Sequence, residues 1–272
     1  MGSEIKNAVK PEVALAVITK DWTEWAEACK AKRWVVGVSG GVDSTVVLSL
    51  AAKIFGKENV WGVMLPCGSQ RDISDSEHVI ALTGVHRMLI NIADSVGSLE
   101  RAYSAGAKDG GITSDQAHIN LPPRIRLAAL YMVAQSIGAM VLNTSNLSED
   151  VLGYATLWGD TCGSYAPIQG LTKSEVVALA EYIGVPRPLA YKTPADGLQE
   201  KSDEERLGIT YSEVDKYIRD DGGEPELKYK VQKLYRANRF KLDMISLPGP
   251  KFDDSPNCVI IDHWTSTIGK EL

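Results

Sequence analysis

Apolar residues recur at helical spacing from Pro11 to Lys32, where Val13, Ala16, Val17, Trp22, Trp25 and Ala26 can share one broad face. The pattern changes at Arg33. "RWVVGV", ending at Val38, is a short continuous apolar run of the kind that forms a buried strand. Helical spacing returns from Thr45 to Phe55, with Val46, Val47, Leu50, Ala51 and Ile54 inward, and "NVWGVMLP" (Asn59 to Pro66) predicts a second strand closed by proline. A helix over Ser74–Thr83 and a strand at "RMLINI" (Arg87 to Ile92) follow. Next come a helix over Ile125–Ile137, a strand at "AMVLNTSN" (Ala139 to Asn146) and a helix over Leu171–Ile183 opened by Thr172. Strand and helix alternate, and the strands are unbroken apolar runs. The expected fold class is therefore α/β, a doubly wound parallel sheet covered by helices on both faces. Two stretches interrupt the rhythm, Ala105–Pro123 and Tyr191–Leu207, and are expected to be long irregular loops of functional use. After Tyr211 two further helical segments lead into a tail containing several prolines. The expected organisation is a single domain over 1–272, with an α/β core at 11–210 and a small helical appendage and tail at 211–272.

Composition narrows the function classes. With 44% hydrophobic and 24% charged residues, the 272-residue chain can bury one large core. A net charge of -6 argues against a broad nucleic-acid surface, which needs a basic excess. The longest apolar runs, such as Val13–Ile18, are too short for a membrane span, and the N-terminus shows no signal-peptide pattern, so the expected location is cytoplasmic. Cys29, Cys67, Cys162 and Cys258 form no CxxC, and the four histidines do not pair at helical spacing. Neither a structural zinc site nor a dithiol redox centre is expected.

The chemistry concentrates in "VSGGVDST", Val38 to Thr45, between the first strand and the helix after it. Open α/β sheets bind ligands at this place. Gly40 and Gly41 allow close backbone approach, Ser39, Ser44 and Thr45 supply hydroxyls, and the amides opening the helix favour an anion. The loop is a phosphate cradle of neither the GxxxxGK[ST] nor the GxGxxG type. Asp43 sets it apart, because a carboxylate beside phosphate is repulsive unless a divalent cation bridges the two. Glu149, after a fourth strand expected next to the first, can reach the same crevice and complete a two-carboxylate Mg²⁺ site.

"SGGVDS" resembles the pyrophosphate loop of the N-type ATP pyrophosphatases, which cleave ATP to AMP and pyrophosphate while adenylating a second substrate. The block "INLPPRIRLAALYMVAQSIGAMVLNTSNLSEDVLGYATLWGD" (Ile119 to Asp160) is similar to the centre of the NAD synthetases within that superfamily. "PIQGLTKSEVVALAEYIGVP" and "YKTPADGLQEKSDEERLGITYSEVDKYI" continue the likeness, which covers about Trp34 to Lys241. The resemblance implies ATP-dependent amidation of deamido-NAD by ammonia. The nicotinate carboxylate would attack the α-phosphorus of ATP, and ammonia would then displace AMP from the acyl-adenylate.

The resemblance also implies roles. Asp43 and Glu149 would hold Mg²⁺. ATP would contact Gly37, Val38, Ser39, Gly40, Gly41, Val42, Asp43 and Ser44 of the loop, Met64 and Leu65 after the second strand, Thr144, Lys173 and Ala195. The pyridine nucleotide would contact Arg124, Leu157, Asp160, Ser164, Phe240 and Lys241, with Asp43, Lys173 and Asp160 the catalytic set. Leu157, Ser164, Ala195 and Phe240 depart from commoner family residues, and the hydroxyl lost at Ala195 leaves its backbone or Thr193 to serve.

The family is homodimeric, and the helices at Pro11–Lys32 and Ile125–Ile137 are the candidate surfaces, a core role being equally open to each. Nothing upstream of Pro11 has room for the amidase of the glutamine-dependent members. Free ammonia is the expected nitrogen source, with a separate glutaminase left open. No nucleic-acid or membrane partner is implied. Three rivals share parts of the pattern. A tRNA sulfur-transferase would carry a cysteine pair or a basic surface. A GMP synthetase would carry its own dimerisation region. A non-catalytic nucleotide-binding module would not need both Asp43 and Glu149.

Overall fold

The computed structural model describes residues 5–70, 73–107, 114–192, 203–243 and 249. Four strands, β1 (Trp34–Gly37), β2 (Val60–Met64), β3 (His86–Leu89) and β4 (Met140–Leu142), form one sheet in the order β3-β2-β1-β4. Every pairing is parallel, with Val36 opposite both Gly62 and Leu142. The chain steps outward from β1 to β2 to β3 and then returns to the other side of β1. The reversal opens a crevice beyond the carboxyl ends of β1 and β4, where ligands bind in such sheets.

Alternation along β1 divides the core. Trp34 and Val36 face a cluster built with α1 (Pro11–Cys29), α2 (Val42–Phe55), α3 (Ile73–Thr83) and α7 (Lys173–Tyr182). Val35, with Val63 and Val141, faces α4 (Ala93–Gly106) and α5 (Asp115–Ile137). Both faces are covered along β1, β2 and β4, which accounts for strands that read as unbroken apolar runs, while β3 at the edge is mostly exposed. Each large aliphatic side chain so buried contributes about 1.5–3 kcal/mol.

Three sequence expectations are corrected. The buried face of α1 is Ala14, Ile18, Trp22 and Ala26, rotated from the one expected, and Val13 is 48% exposed. Trp22 stacks on Tyr165 at 5.2 Å and meets Trp34 edge-on, so this helix belongs to the core. Second, α4 forms within a stretch where no helix was expected. Third, Ala105–Pro123 is largely helical, because α5 starts at Asp115, capped by Ser114, whose Oγ accepts from the Ala117 amide. Pro122 and Pro123 lie inside α5. Each proline forfeits one backbone hydrogen bond, which normally breaks a helix. Both are buried here, and tertiary packing carries the helix through them. Residues 108–113 lie outside the described residues, as does most of the second expected loop.

Beyond the sheet lie α6 (Leu147–Leu152), α8 (Arg187–Ala190), α9 (Asp203–Leu207), α10 (Tyr211–Asp220) and α11 (Pro225–Asp243). Val151 and Leu152 of α6 pack with Val214, Tyr217 and Ile218 of α10 and Val231 of α11 in a separate apolar cluster. The appended helices thus rest on the short helix that follows β4. Among the described residues, no helix is long and apolar enough to cross a membrane.

Candidate functional site

The loop after β1 is held by its own hydroxyls. The Ser39 amide and Oγ both meet Ser44 Oγ, at 3.3 and 3.2 Å, and Thr45 Oγ1 donates to the Gly41 carbonyl at 2.8 Å. Gly41 is the N-cap of α2, and no side-chain hydrogen bond caps the helix. The first helix bond runs from the Thr45 amide to the Gly41 carbonyl at 3.1 Å, so the amides of Val42, Asp43 and Ser44 have no intrahelical acceptor, the arrangement that favours an anion. Gly40 has φ +80°, and a Cβ there would stand 2.9 Å from the Asp75 Cβ and 3.1 Å from the Ser76 amide nitrogen. The close approach that demands this glycine is therefore made by α3, not only by a ligand.

Three charged side chains meet beside that loop. Asp43 sits in the first turn of α2, Glu149 in the first turn of α6, and Lys173 opens α7. Lys173 Nζ donates to Asp43 Oδ2 and, at 3.1 Å, to Glu149 Oε1. A cation at a helix N-terminus opposes the helix dipole, so these two carboxylates and the Tyr211 ring, 5.3 Å away, hold it there. Their charges keep Lys173 protonated, its pKa raised against the opposing effect of burial. Burial pushes Glu149 up to about 8; the Lys173 charge opposes this and Asp43 adds to it.

Asn146, the N-cap of α6, ties the group together. Its Oδ1 accepts from the Glu149 amide at 3.1 Å, while its Nδ2 donates to Asp43 Oδ1 at 2.9 Å. Sequence reasoning passed over Asn146 as a site residue. The signal available was the cap pattern N-x-x-E after a strand, which marks a helix start but not its neighbour across the sheet.

Asp43, Glu149 and Lys173 line one cavity of about 740 Å³. Of the residues expected at the nucleotide, Gly37, Val38, Ser39, Gly41, Val42, Asp43, Ser44, Leu65, Thr144 and Lys173 line it, with Glu149 beside them. Gly40 and Met64 do not; Met64 is fully buried in the core. Ala195 and Thr193 lie outside the described residues. Of the second set, Arg124, Leu157, Asp160, Phe240 and Lys241 line the cavity and Ser164 does not; the Ser164 amide is engaged by the Val141 carbonyl at 2.7 Å. Arg124 lies well inside α5 rather than at a helix start, and its Nε donates to the Leu157 carbonyl at 3.1 Å.

Asp160 Oδ1 accepts from the Thr156 amide at 2.6 Å. Its carboxyl is ringed by protein yet open to the cavity's solvent, and burial raises its pKa against that amide and the charges of Lys241 and Arg126. Lys241 Nζ donates to the Gly153 and Ala155 carbonyls, bringing α11 to the rim. Asn143, Lys192 and Arg206 also line the cavity and went unnoticed in the sequence; Lys192 pairs with Asp75 at 2.7 Å.

Asp43 and Glu149 both reach a single cation, here the Lys173 ammonium, so the pair has the donor chemistry for a hard divalent ion. Among the described residues no group of three or more His, Cys, Asp or Glu side chains is arranged to hold a metal. An ion at this pair would draw its other oxygens from phosphate and water. The site as a whole offers helix-N-terminal amides for phosphate, a cation-binding carboxylate pair, and a cavity that Arg124 and Asp160 also line.

A family model described as NAD synthase matches residues 15–245. The NH(3)-dependent NAD(+) synthetase of Pyrococcus furiosus is 37% identical over 186 residues, 68% of this chain and 70% of that protein. That of Mycoplasmopsis pulmonis is 37% identical over 232 residues, 83% and 87% of the two chains. Among solved structures, the NMN synthetase from Francisella tularensis superposes with a TM-score of 0.80 at 25% identity, over 88% of this chain and 99% of that one. The NH3-dependent NAD synthetase from Campylobacter jejuni gives 0.69 at 25% identity with the same coverage.

Proposed function

The chain belongs to the NAD synthase family, and we infer from this that it catalyses the ATP-dependent amidation of deamido-NAD with ammonia to give NAD. The observation that carries the reading is the convergence of Asp43, Glu149 and Lys173 beside the uncapped N-terminus of α2. A carboxylate cannot acylate ammonia directly, since its leaving group is oxide or hydroxide. Transfer of AMP to the nicotinate carboxylate turns the leaving group into a phosphate ester and releases pyrophosphate. The amides opening α2, with Lys173, bind the β- and γ-phosphates that depart. Asp43 and Glu149 hold Mg²⁺, which when bound neutralises phosphate charge. Arg124 and Asp160, which also line the cavity, bind the pyridine nucleotide and orient its carboxyl toward the α-phosphorus. No side-chain nucleophile is needed, so orientation and electrostatic stabilisation carry the rate.

Three finer points accompany this reading. The chain acts as a single functional unit, because the helices after residue 211 supply Tyr211, Phe240 and Lys241 to the site. The activity is cytoplasmic. The enzyme is a homodimer joined through α4 and α5, where Leu99, Tyr103 and Met132 are 48%, 47% and 73% exposed; light scattering of the purified chain tests this.

The likeness to an NMN synthetase supports a second acceptor, nicotinate mononucleotide, amidated by the same chemistry. One assay separates the readings. ATP, Mg²⁺ and either deamido-NAD or nicotinate mononucleotide are supplied with ammonium or with glutamine, and the amide product and AMP are measured. NAD and AMP in equal amounts with ammonium alone are expected, with EDTA abolishing both. Preference for the mononucleotide would move the acceptor. AMP without either amide would refute both.

A further inference from the structure

Of the three helices that bring charge to the site, α6 and α7 each have their own cap. Asn146 caps α6, and on α7 the Glu175 Oε2 accepts from the Thr172 amide at 2.8 Å. Those caps fix each helix end internally but do not set one helix against the other. Besides the Lys173–Glu149 pair and the bond from the Leu147 amide to the Leu171 carbonyl at 2.8 Å, a further link runs through a third helix. Asp215, on α10, is fully buried. Its Oδ1 accepts from Ser148 Oγ at 2.5 Å, and its Oδ2 accepts from the Ser174 amide at 2.7 Å. Ser148 Oγ in turn accepts from the Lys173 amide at 3.0 Å. One carboxylate therefore binds the residue just before Glu149 and the residue just after Lys173, over sequence separations of 67 and 41.

We propose that Asp215 is a positioning residue of the site, a clamp that locks the first turn of α6 to the first turn of α7 and so holds Glu149 and Lys173 on Asp43. The proposal rests on the reading of those three residues as the Mg·ATP site. The clamp needs both carboxylate oxygens as acceptors, because both of its direct partners donate. An asparagine has the same shape but one acceptor, and its amide would face a donor. Burial, with a smaller contribution from the Glu175 charge, raises the pKa of Asp215 to about 6 against the hydrogen bonds from Ser148 and Ser174. The clamp also gives the appended helices a part in catalysis that their apolar contacts with α6 do not require. Arg219, one turn along α10, anchors the clamp by binding Glu175 through Nε at 2.7 Å and through its terminal nitrogen at 2.6 Å.

The test uses Asp215→Asn and Ser148→Ala in the full chain. Binding of α,β-methylene-ATP with Mg²⁺ is followed by calorimetry. Steady-state kinetics are measured with ATP or deamido-NAD varied, and near-UV circular dichroism reports folding. Both variants should weaken the analogue at least tenfold and raise KM for ATP by a similar factor, with KM for deamido-NAD within twofold of wild type. Ile18→Val, a core substitution at a residue that does not line the cavity, is the destabilised control and should move neither constant. Loss of kcat in proportion to lost folded protein, with analogue affinity unchanged, would make Asp215 merely structural and overturn the proposal. If Asp215→Asn does not fold, Ser148→Ala decides, since it cuts the link to α6 and leaves the carboxylate on Ser174. A wild type that binds the analogue but forms no NAD defeats the functional reading while the titrations still judge the clamp. A wild type that binds no analogue overturns both.

Discussion

Replacing Arg219 by methionine is the sharpest perturbation of the frame around the site. Arg219 and Glu175 are 1% and 2% exposed as side chains, and the substitution deletes both charge-assisted bonds between them. It also removes the bond from Arg219 to the Gly170 carbonyl at 2.9 Å. Glu175 keeps the Val9 and Thr172 amides, at 2.7 and 2.8 Å, but its charge loses its buried counter-ion. Stranding a buried charge in this way costs about 3–5 kcal/mol. Set against a total stability of about 5–15 kcal/mol, that is roughly a fifth or more of what holds the fold. Urea unfolding, followed by fluorescence of the tryptophans packed on β1, should show the midpoint fall by that energy divided by the slope m, with m itself little changed. The cause is tested by the double substitution Glu175→Gln/Arg219→Met. With no charge left to strand, it should recover at least about 2 kcal/mol of the loss. A single-variant cost under about 1 kcal/mol, or strict additivity in the double variant, would refute the argument.

Asn146→Ala should lose about 1 kcal/mol of stability for the missing cap. It should also lose roughly 10- to 100-fold in kcat/KM for ATP, because a hydrogen bond to a charged group is worth about 1.5–3 kcal/mol; equal effects on ATP and deamido-NAD would contradict this role. Gly40→Ala should cost about 1–3 kcal/mol, since it combines φ +80° with a contact of 2.9 Å to α3, and a melting temperature unchanged from wild type would show that α3 yields freely. Asp215 carries a pH signature. Its folded pKa of about 6 exceeds the unfolded value near 3.9, so between those values the folded chain holds a proton that the unfolded chain has lost. Wild-type stability from this group is then greatest below about pH 4 and declines as pH rises to about 6, by up to ~3 kcal/mol. Asp215→Asn should therefore gain on wild type by that amount between pH 4 and pH 7, and parallel pH–stability curves for the two proteins would sink the assignment.

The α/β layering was legible because its cause is local. Residues 34–37 are buried on both faces, so they read as an apolar run; the helix after them turns its valines and leucines to one cluster, so it reads at helical spacing. The loop between was legible for the same reason, since strand, glycines, hydroxyls and acid are consecutive. Where one rule overrode another, the sequence misled. Two prolines argued for a break that burial of α5 overrules, and α1, rich in apolar residues all round, hid which of its faces turns inward.

The sequence by itself determined the sheet class and the glycine-hydroxyl turn that carries Asp43, because each depends on near neighbours; Glu149 was marked by the expected strand order and Lys173 by the family resemblance. Only the tertiary structure decided how those residues meet. Asn146 reaches Asp43 across 103 positions, Lys173 reaches it across 130, and Asp215 links the helices of Glu149 and Lys173 from a third helix. Such contacts leave no periodic trace in a single chain. They arise from strand order, which sets β4 beside β1, and from the packing of α10 on α6, and neither is written in local pattern.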